Sequence, residues 1–269
     1  MPEGPEIRFM KDFINSSSEG KVFRKIRKSK VSKVKTSIRD PFDLWSISAE
    51  SRGKELKVIF TNREGDSESM IFSMGMSGSW GMCRTGEEPK HSHFMIDSLD
   101  GSTLYLHDVR RFAKWRWGNW NSDRSPCIME SLPEFKHNLY SNLEHKDFNQ
   151  TISEVLMNQK WFNGMGNYLR STVLFYTEDN PFTEARIFIK NHPDFAEYCH
   201  HILWHSYTLG GGQLKDWKNP LNFDEYENLM KIGFNDWVFY RKGLSCTDKS
   251  GRRFWFDERW KDHCPYSLE

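Results

Sequence analysis

Residues 3–16 (EGPEIRFMKDFINS) carry apolar side chains at Ile7, Met10, Phe13 and Ile14. That spacing predicts a helix with one buried face. From 44 to 120 the pattern shortens to alternating, β-rich runs: LWSISAESRGKELKVIF, SMIFSMGMSGSWGM, SHFMIDSL, STLYLHDV and RFAKWRWG. Turn-forming stretches such as TNREGDS and DSLDGS separate them. Many short strands divided by regular turns predict a sandwich or barrel. Between helix and strands lies KVFRKIRKSKVSKVK, residues 21–35, with eight basic residues in fifteen and Val22, Ile26, Val31 and Val34 interleaved. It reads either as a pair of solvated strands with one polar face or as a phosphate-facing surface.

After about 120 the texture changes. NSDRSPCIMESLPEFKHN is polar and turn-rich, as a hinge would be. TISEVLMNQKWF opens with Thr151 and Glu154 in capping-box spacing ahead of an apolar run. GNYLRSTVLFY predicts a second helix directly after Gly164-Met165-Gly166, and further helices are expected over 185–207 and 223–232. The tail FYRKGLSCTDKSGRRFWFDERW reads as a hairpin turned by Asp248-Lys249-Ser250-Gly251. These breaks divide the chain into 1–125, a linker 126–145, 146–235, and a hairpin with tail over 236–269.

Composition narrows the class. In 269 residues, apolar positions at 37% and eleven tryptophans supply a sizeable core. Net charge is only +1, so polyanion binding has to come from a local patch. Five scattered cysteines without a C-x-x-C pair read as reduced thiols, which places the protein inside the cell, in nucleus or cytoplasm, rather than among secreted proteins. No apolar run approaches the roughly 20 residues of a membrane span.

The candidate chemistry begins at MPEGPE. Clipping Met1 leaves Pro2 with a free secondary amine. An α-amine with pKa about 8 is far less protonated at neutral pH than a lysine at about 10.4. Attack of a secondary amine on a sugar carbon gives an iminium, cationic without further protonation and therefore an electron sink. Glu3 beside it can move protons at the same centre. Farther along, R-G-K sets Lys54 after Gly53, G-M-S-G holds Met76, and D-V-R-R-F groups Arg110, Arg111 and Phe112. G-M-G-N-Y puts Asn167 at a helix start, where backbone N–H groups can hold a phosphate, and G-R-R sets Arg252 at the hairpin tip.

With these motifs in this order, from Pro2 to about Phe256, the chain resembles the Fpg/Nei DNA glycosylases, the formamidopyrimidine and endonuclease VIII group. The resemblance implies an α+β fold: an N-terminal β-sandwich flanked by helices, then a helix-two-turn-helix domain with a finger. It implies a bifunctional glycosylase and AP lyase that removes oxidised bases, mainly pyrimidines, through an N-terminal proline Schiff base and then cleaves the strand by β,δ-elimination. Pro2 would be the nucleophile at C1′, with Glu3 handling the proton and Glu6 and Lys54 supporting catalysis. Lys54, Asn167 and Arg252 would grip phosphates, and His91 is assigned there too. Met76, Arg110 and Phe112 would fill the gap left by a flipped-out base. The implied partner is damaged DNA, duplex or single-stranded, bound by a monomer without a membrane or cofactor.

Two departures stand out. Most of the family carries two C-x2-C pairs in the finger, whereas here Cys246 and Cys264 each lack such a partner, and adding His263 gives only three of the four ligands tetrahedral zinc needs. The finger is therefore expected to be a zincless hairpin, with no metal bound, as in the zincless Nei-like branch of vertebrates and giant viruses. That branch can carry a lysine where LGGGQ has Gly212. His91 and His93 fall on one strand face, but no third metal ligand accompanies them. Two rival readings are an inactive damaged-DNA-binding module and a tautomerase using a terminal proline as base. Intact Pro2, Glu3 and Lys54 oppose the first; chain length and the arginine motifs oppose the second.

Overall fold

The computed structural model describes residues 2–212, 219–221 and 233–269. The helix expected over 223–232 lies outside the described residues. The chain forms two compact units. The first runs to Asn121 and takes in the chain again from Gly210; the second is Ser122–Leu209 with the described chain from Gly233 to Glu269.

In the first unit, α1 (Gly4–Ser18) buries Ile7, Phe9, Met10 and Ile14, while Phe13 is only half-buried. It is tied to the next strands by a reciprocal pair: Asn15 Nδ2 donates to the Ala49 carbonyl at 3.0 Å, and the Ala49 amide donates to Asn15 Oδ1 at 2.7 Å. One antiparallel sheet has the order β1 (Phe23–Lys28), β6 (Ser92–Ser98), β7 (Ser102–His107), β5 (Ser79–Arg84). The other has β2 (Ser46–Arg52), β3 (Glu55–Thr61), β4 (Ser67–Ser73), β8 (Lys114–Trp117). Between them sit the rings of Phe72, Trp80, Phe94 and Trp115. Phe72 meets Trp80 at 5.1 Å and Phe94 at 5.0 Å, and Phe94 meets Trp115 at 5.3 Å, all edge to face. Such pairs bury large apolar area and add directional attraction.

The basic stretch departs from the expected pair of strands. Only β1 forms; residues 29–40 are irregular and pinned by side chains. Lys28 Nζ donates to the carbonyls of Val34 and Thr36, both at 3.2 Å, and Thr36 Oγ1 donates to the Trp115 carbonyl at 2.8 Å. Trp117 Nε1 donates to the Ser37 carbonyl at 3.2 Å. Several cations meant for phosphate are already matched: Lys21 with Asp100, Lys25 with Asp40, and Arg27 with Asp97 and Glu88. Lys30, Lys33 and Lys35 are exposed and make no ion pair among the described residues.

In the second unit, the stretch read as a linker, 126–145, is folded. It holds α2 (Leu132–Tyr140), whose Phe135 and Leu139 are fully buried beside Ile128. Its polar residues face outward, so their density disguised an amphipathic helix. Thr151 caps α3 (Ile152–Val155) reciprocally with Glu154. Two turns follow, then α4 (Asn167–Tyr176). The helix expected over 185–207 is two helices, α5 (Ala185–Asn191) and α6 (Phe195–Thr208), broken at Pro193. Proline lacks the N–H a continuous helix needs. After α7 (Phe234–Trp237) comes the hairpin of β9 (Leu244–Thr247) and β10 (Arg253–Phe256), turned at Asp248–Arg252 as its sequence predicted. Its Cys246, Phe254 and Phe256 are buried in the core, and half-buried Phe182 packs against them, its ring meeting Phe256 edge-on at 5.0 Å. No helix among the described residues is long and apolar enough to cross a membrane.

Candidate active site

The first unit places Pro2 buried at the mouth of α1, with Glu3 as N-cap and Pro5 in the first turn. Glu3 and Glu6 form a capping box, each side chain accepting from the other's backbone. The Glu6 carboxylate is fully buried; one oxygen accepts the Glu3 amide at 2.7 Å and the other the Gly212 amide at 2.7 Å. Amides aimed at a buried carboxylate satisfy its charge. The Gly212 loop can approach only because Gly211 has φ +75° and no side chain, since a Cβ there would lie 2.8 Å from Glu6 Oε1. Lys54 is half-buried in the two-residue turn between β2 and β3, directly before the first residue of β3. Gly53 provides the positive φ of that turn, 57°.

Two loops of the same unit carry the void-filling candidates. Met76 sits half-exposed between β4 and β5, and Arg110 and Phe112 lie between β7 and β8, with the Arg110 guanidinium 4.9 Å from the Phe112 ring centre. A Cβ on Gly75 would lie 2.6 Å from Phe112 Cβ, so glycine permits the loops to touch. Asp108 joins them. Its Oδ1 accepts the buried Ser77 hydroxyl at 2.6 Å, its Oδ2 accepts the Ala113 amide at 2.7 Å, and its own amide donates to the His91 carbonyl at 3.0 Å. Ser77 Oγ in turn accepts the Arg110 amide at 3.4 Å. His91 and Arg111 both hold left-handed backbone, φ 74° and 56°. Such conformations persist only where surrounding structure imposes them, and they gather at functional sites.

The histidines do not share a strand face. His91 precedes β6, and His93 is buried in a bulge. Burial holds the His93 imidazole below its ordinary pKa, with Asp108 opposing and His91 and Arg111 reinforcing the shift. Among the described residues, no three His, Cys, Asp or Glu side chains gather as a metal site.

In the second unit, Asn167 opens α4 and Arg252 stands exposed in the hairpin turn. Asn167 Nδ2 donates to the Arg253 carbonyl at 2.8 Å, which leaves its second N–H for another acceptor. The Asp248 carboxylate receives the amides of Ser250 at 2.9 Å and Arg252 at 3.0 Å. Burial alone would raise the Asp248 pKa; hydrogen bonds from Arg170 and these amides outweigh it and hold the carboxyl below the usual range.

Residues 1–115 match the family model for the formamidopyrimidine-DNA glycosylase N-terminal domain. Human endonuclease 8-like 1 is 30% identical over 95% of this chain and 72% of its own length. The chain belongs to the Fpg/Nei family. A formamidopyrimidine-DNA glycosylase of Actinobacillus pleuropneumoniae is 25% identical, over 92% of this chain and 90% of the relative. Among solved structures, a complex of the LlFpg protein with a THF-DNA and an inhibitor superposes with TM-score 0.76 at 18% identity, over 96% of this chain and 99% of that one.

In this Fpg/Nei chain the fold brings the loop that carries Met76, through Gly75, against Phe112, whose ring lies beside the Arg110 guanidinium. Sequence reasoning missed Ser77, Asp108 and Arg170, and it did not show that Asp248, read as a turn residue, would meet Arg170 or that the Gly212 amide would meet Glu6. Asp108 lay within the recognised D-V-R-R-F run, and its position one residue after β7 was the available signal.

Proposed function

We propose that this protein is a base-excision-repair DNA glycosylase with AP-lyase activity that removes oxidised bases, mainly pyrimidines, from damaged DNA. The observation that carries the reading is the buried Glu6 carboxylate held between the amides of Glu3 and Gly212. It fixes the backbone of Glu3, next to Pro2, and this supports a proton-handling carboxyl held beside a terminal amine. A base inside a duplex cannot be processed, so it is flipped out and its vacancy filled. Met76, Arg110 and Phe112 have the thioether, guanidinium and ring suited to stacking in that gap. Lys54, His91, Asn167 and Arg252 take the phosphates around the lesion.

With Met1 removed, the Pro2 nitrogen lone pair attacks C1′, the glycosidic bond breaks, and the base leaves with a proton that Glu3 handles. Ring opening gives an iminium between Pro2 and the sugar. That sink acidifies the neighbouring C–H, so the 3′ phosphate leaves, then the 5′ phosphate; water returns Pro2 and leaves a one-nucleotide gap with phosphate ends. No metal or cofactor takes part, and a monomer working in nucleus or cytoplasm suffices.

Borohydride tests the intermediate. On DNA carrying an oxidised pyrimidine it should reduce the iminium and leave a covalent complex whose cross-link maps to Pro2. An added residue before Pro2 should abolish trapping and base release while binding persists. A cross-link at a lysine, Lys54 for instance, would overturn the role of the proline, and binding without trapping would return the protein to an inactive binding module.

A further inference from the structure

Arg170 on α4 is fully buried, an expensive place for a guanidinium. Its Nη1 donates to Asp248 Oδ2 at 2.7 Å and to the Ser153 carbonyl at 3.2 Å. Its Nη2 donates to Asn167 Oδ1 and, at 3.3 Å, to the Arg253 carbonyl. The Phe254 ring lies 4.7 Å from its Cζ. The other oxygen of Asp248 holds the amides of Ser250 and Arg252. One guanidinium thus meets the side chain of Asn167 directly and, through a single carboxylate, the backbone of Arg252.

A buried ion pair of this kind is weak evidence for stability, since apolar residues of similar volume often serve as well. Its geometry is informative instead. The planar fork of arginine fixes directions that lysine cannot, and here those directions run to α3, the start of α4 and both arms of the hairpin turn. The pair sets a register.

We propose that Arg170 and Asp248 are positioning residues: they hold the start of α4 and the hairpin turn together so that Asn167 and Arg252 reach the phosphates beside a lesion as one unit. Neither touches DNA. The inference rests on the phosphate-binding reading of Asn167 and Arg252.

The test uses the full chain and a lesion-bearing duplex. Asp248→Asn keeps volume and one accepting oxygen but loses the charge. Because hydrogen bonds to charged groups carry most of such a contact, Kd and KM should rise roughly ten- to hundredfold, with kcat at saturation changed less than about threefold. In the Asp248→Asn background, Arg252→Ala should then add less than about twofold, because coupled residues are not additive. The paired swap Arg170→Met with Asp248→Leu guards against misfolding: it leaves no unpaired buried charge, should remain folded by circular dichroism at the assay temperature, and should bind DNA as weakly as Asp248→Asn. If the paired swap binds like the parent, or if Arg252→Ala keeps its full cost beside Asp248→Asn, the positioning role is overturned. If Arg252→Ala and Asn167→Ala each leave binding in the parent unchanged, the phosphate reading itself fails and the proposal falls with it.

Discussion

Asp108→Ala should be costly out of proportion to its size. The Asp108 carboxylate is buried at 1% exposure and accepts the Ser77 hydroxyl at 2.6 Å and the Ala113 amide at 2.7 Å. Ser77 is itself fully buried, so truncation strands donors that water cannot reach. An unsatisfied buried group costs about 1–3 kcal/mol, so two cost about 2–6 kcal/mol. In a protein of this size about 1 kcal/mol moves Tm by roughly 2–4 °C, which predicts a fall of roughly 4–24 °C. Asp108→Asn retains one accepting oxygen but turns an N–H toward the other donor, and should lose about half as much. Its functional effect is more telling. Met76 and Phe112 sit on the two loops that Asp108 joins. Excision of a stacked base therefore should fall about tenfold relative to lyase action on a ready-made abasic site, which has no base to unstack. Calorimetry and a side-by-side cleavage assay read both quantities. An Asp108→Asn protein melting within about 1 °C of the parent, with an unchanged excision-to-lyase ratio, would refute the role of this carboxylate.

Three further outcomes follow from the geometry. Gly211→Ala forces a side chain at φ +75° to within 2.8 Å of Glu6 Oε1, so borohydride trapping should drop while overall folding, read by circular dichroism, persists; undiminished trapping would argue against the Gly212–Glu6 contact. Replacing Lys30, Lys33 and Lys35 together by alanine should lower the log–log salt slope of DNA binding by as much as about 2.7 units, since each contacted phosphate contributes about 0.9; a constant slope would make this segment merely solvated. Elemental analysis should find well under one zinc per chain, and stoichiometric zinc would contradict the metal-free hairpin inferred from its missing cysteine pairs.

Much of the framework was legible because it is periodic. Strands such as β2 and β3 alternate buried and outward positions, α1 repeats its apolar residues at helical spacing, and Asp248-Lys249-Ser250-Gly251 has turn chemistry that the hairpin uses. What escaped was set by partners distant in sequence. Nothing local says that Asp97 and Glu88 will claim Arg27, or that Asp40 will claim Lys25, so the 21–35 stretch looked more available to phosphate than it is. Nothing local says that Arg170 will meet a carboxylate 78 positions on. The break at Pro193 was readable from residue type and was overlooked because the apolar period resumes beyond it.

The span between Glu6 and the Gly212 amide, 206 positions, has a consequence for synthesis. A ribosome adds about 5–20 residues per second, so roughly 10–40 s separate the emergence of the two partners. During that interval Pro2, Glu3 and Glu6 all exist, yet one oxygen of the Glu6 carboxylate still awaits its amide. A nascent chain, or one halted early, therefore lacks the amide that completes the surroundings of Glu6. On the proposed roles of Pro2 and Glu6, competence arrives only after most of the polypeptide has been made, and incomplete chains cut no DNA.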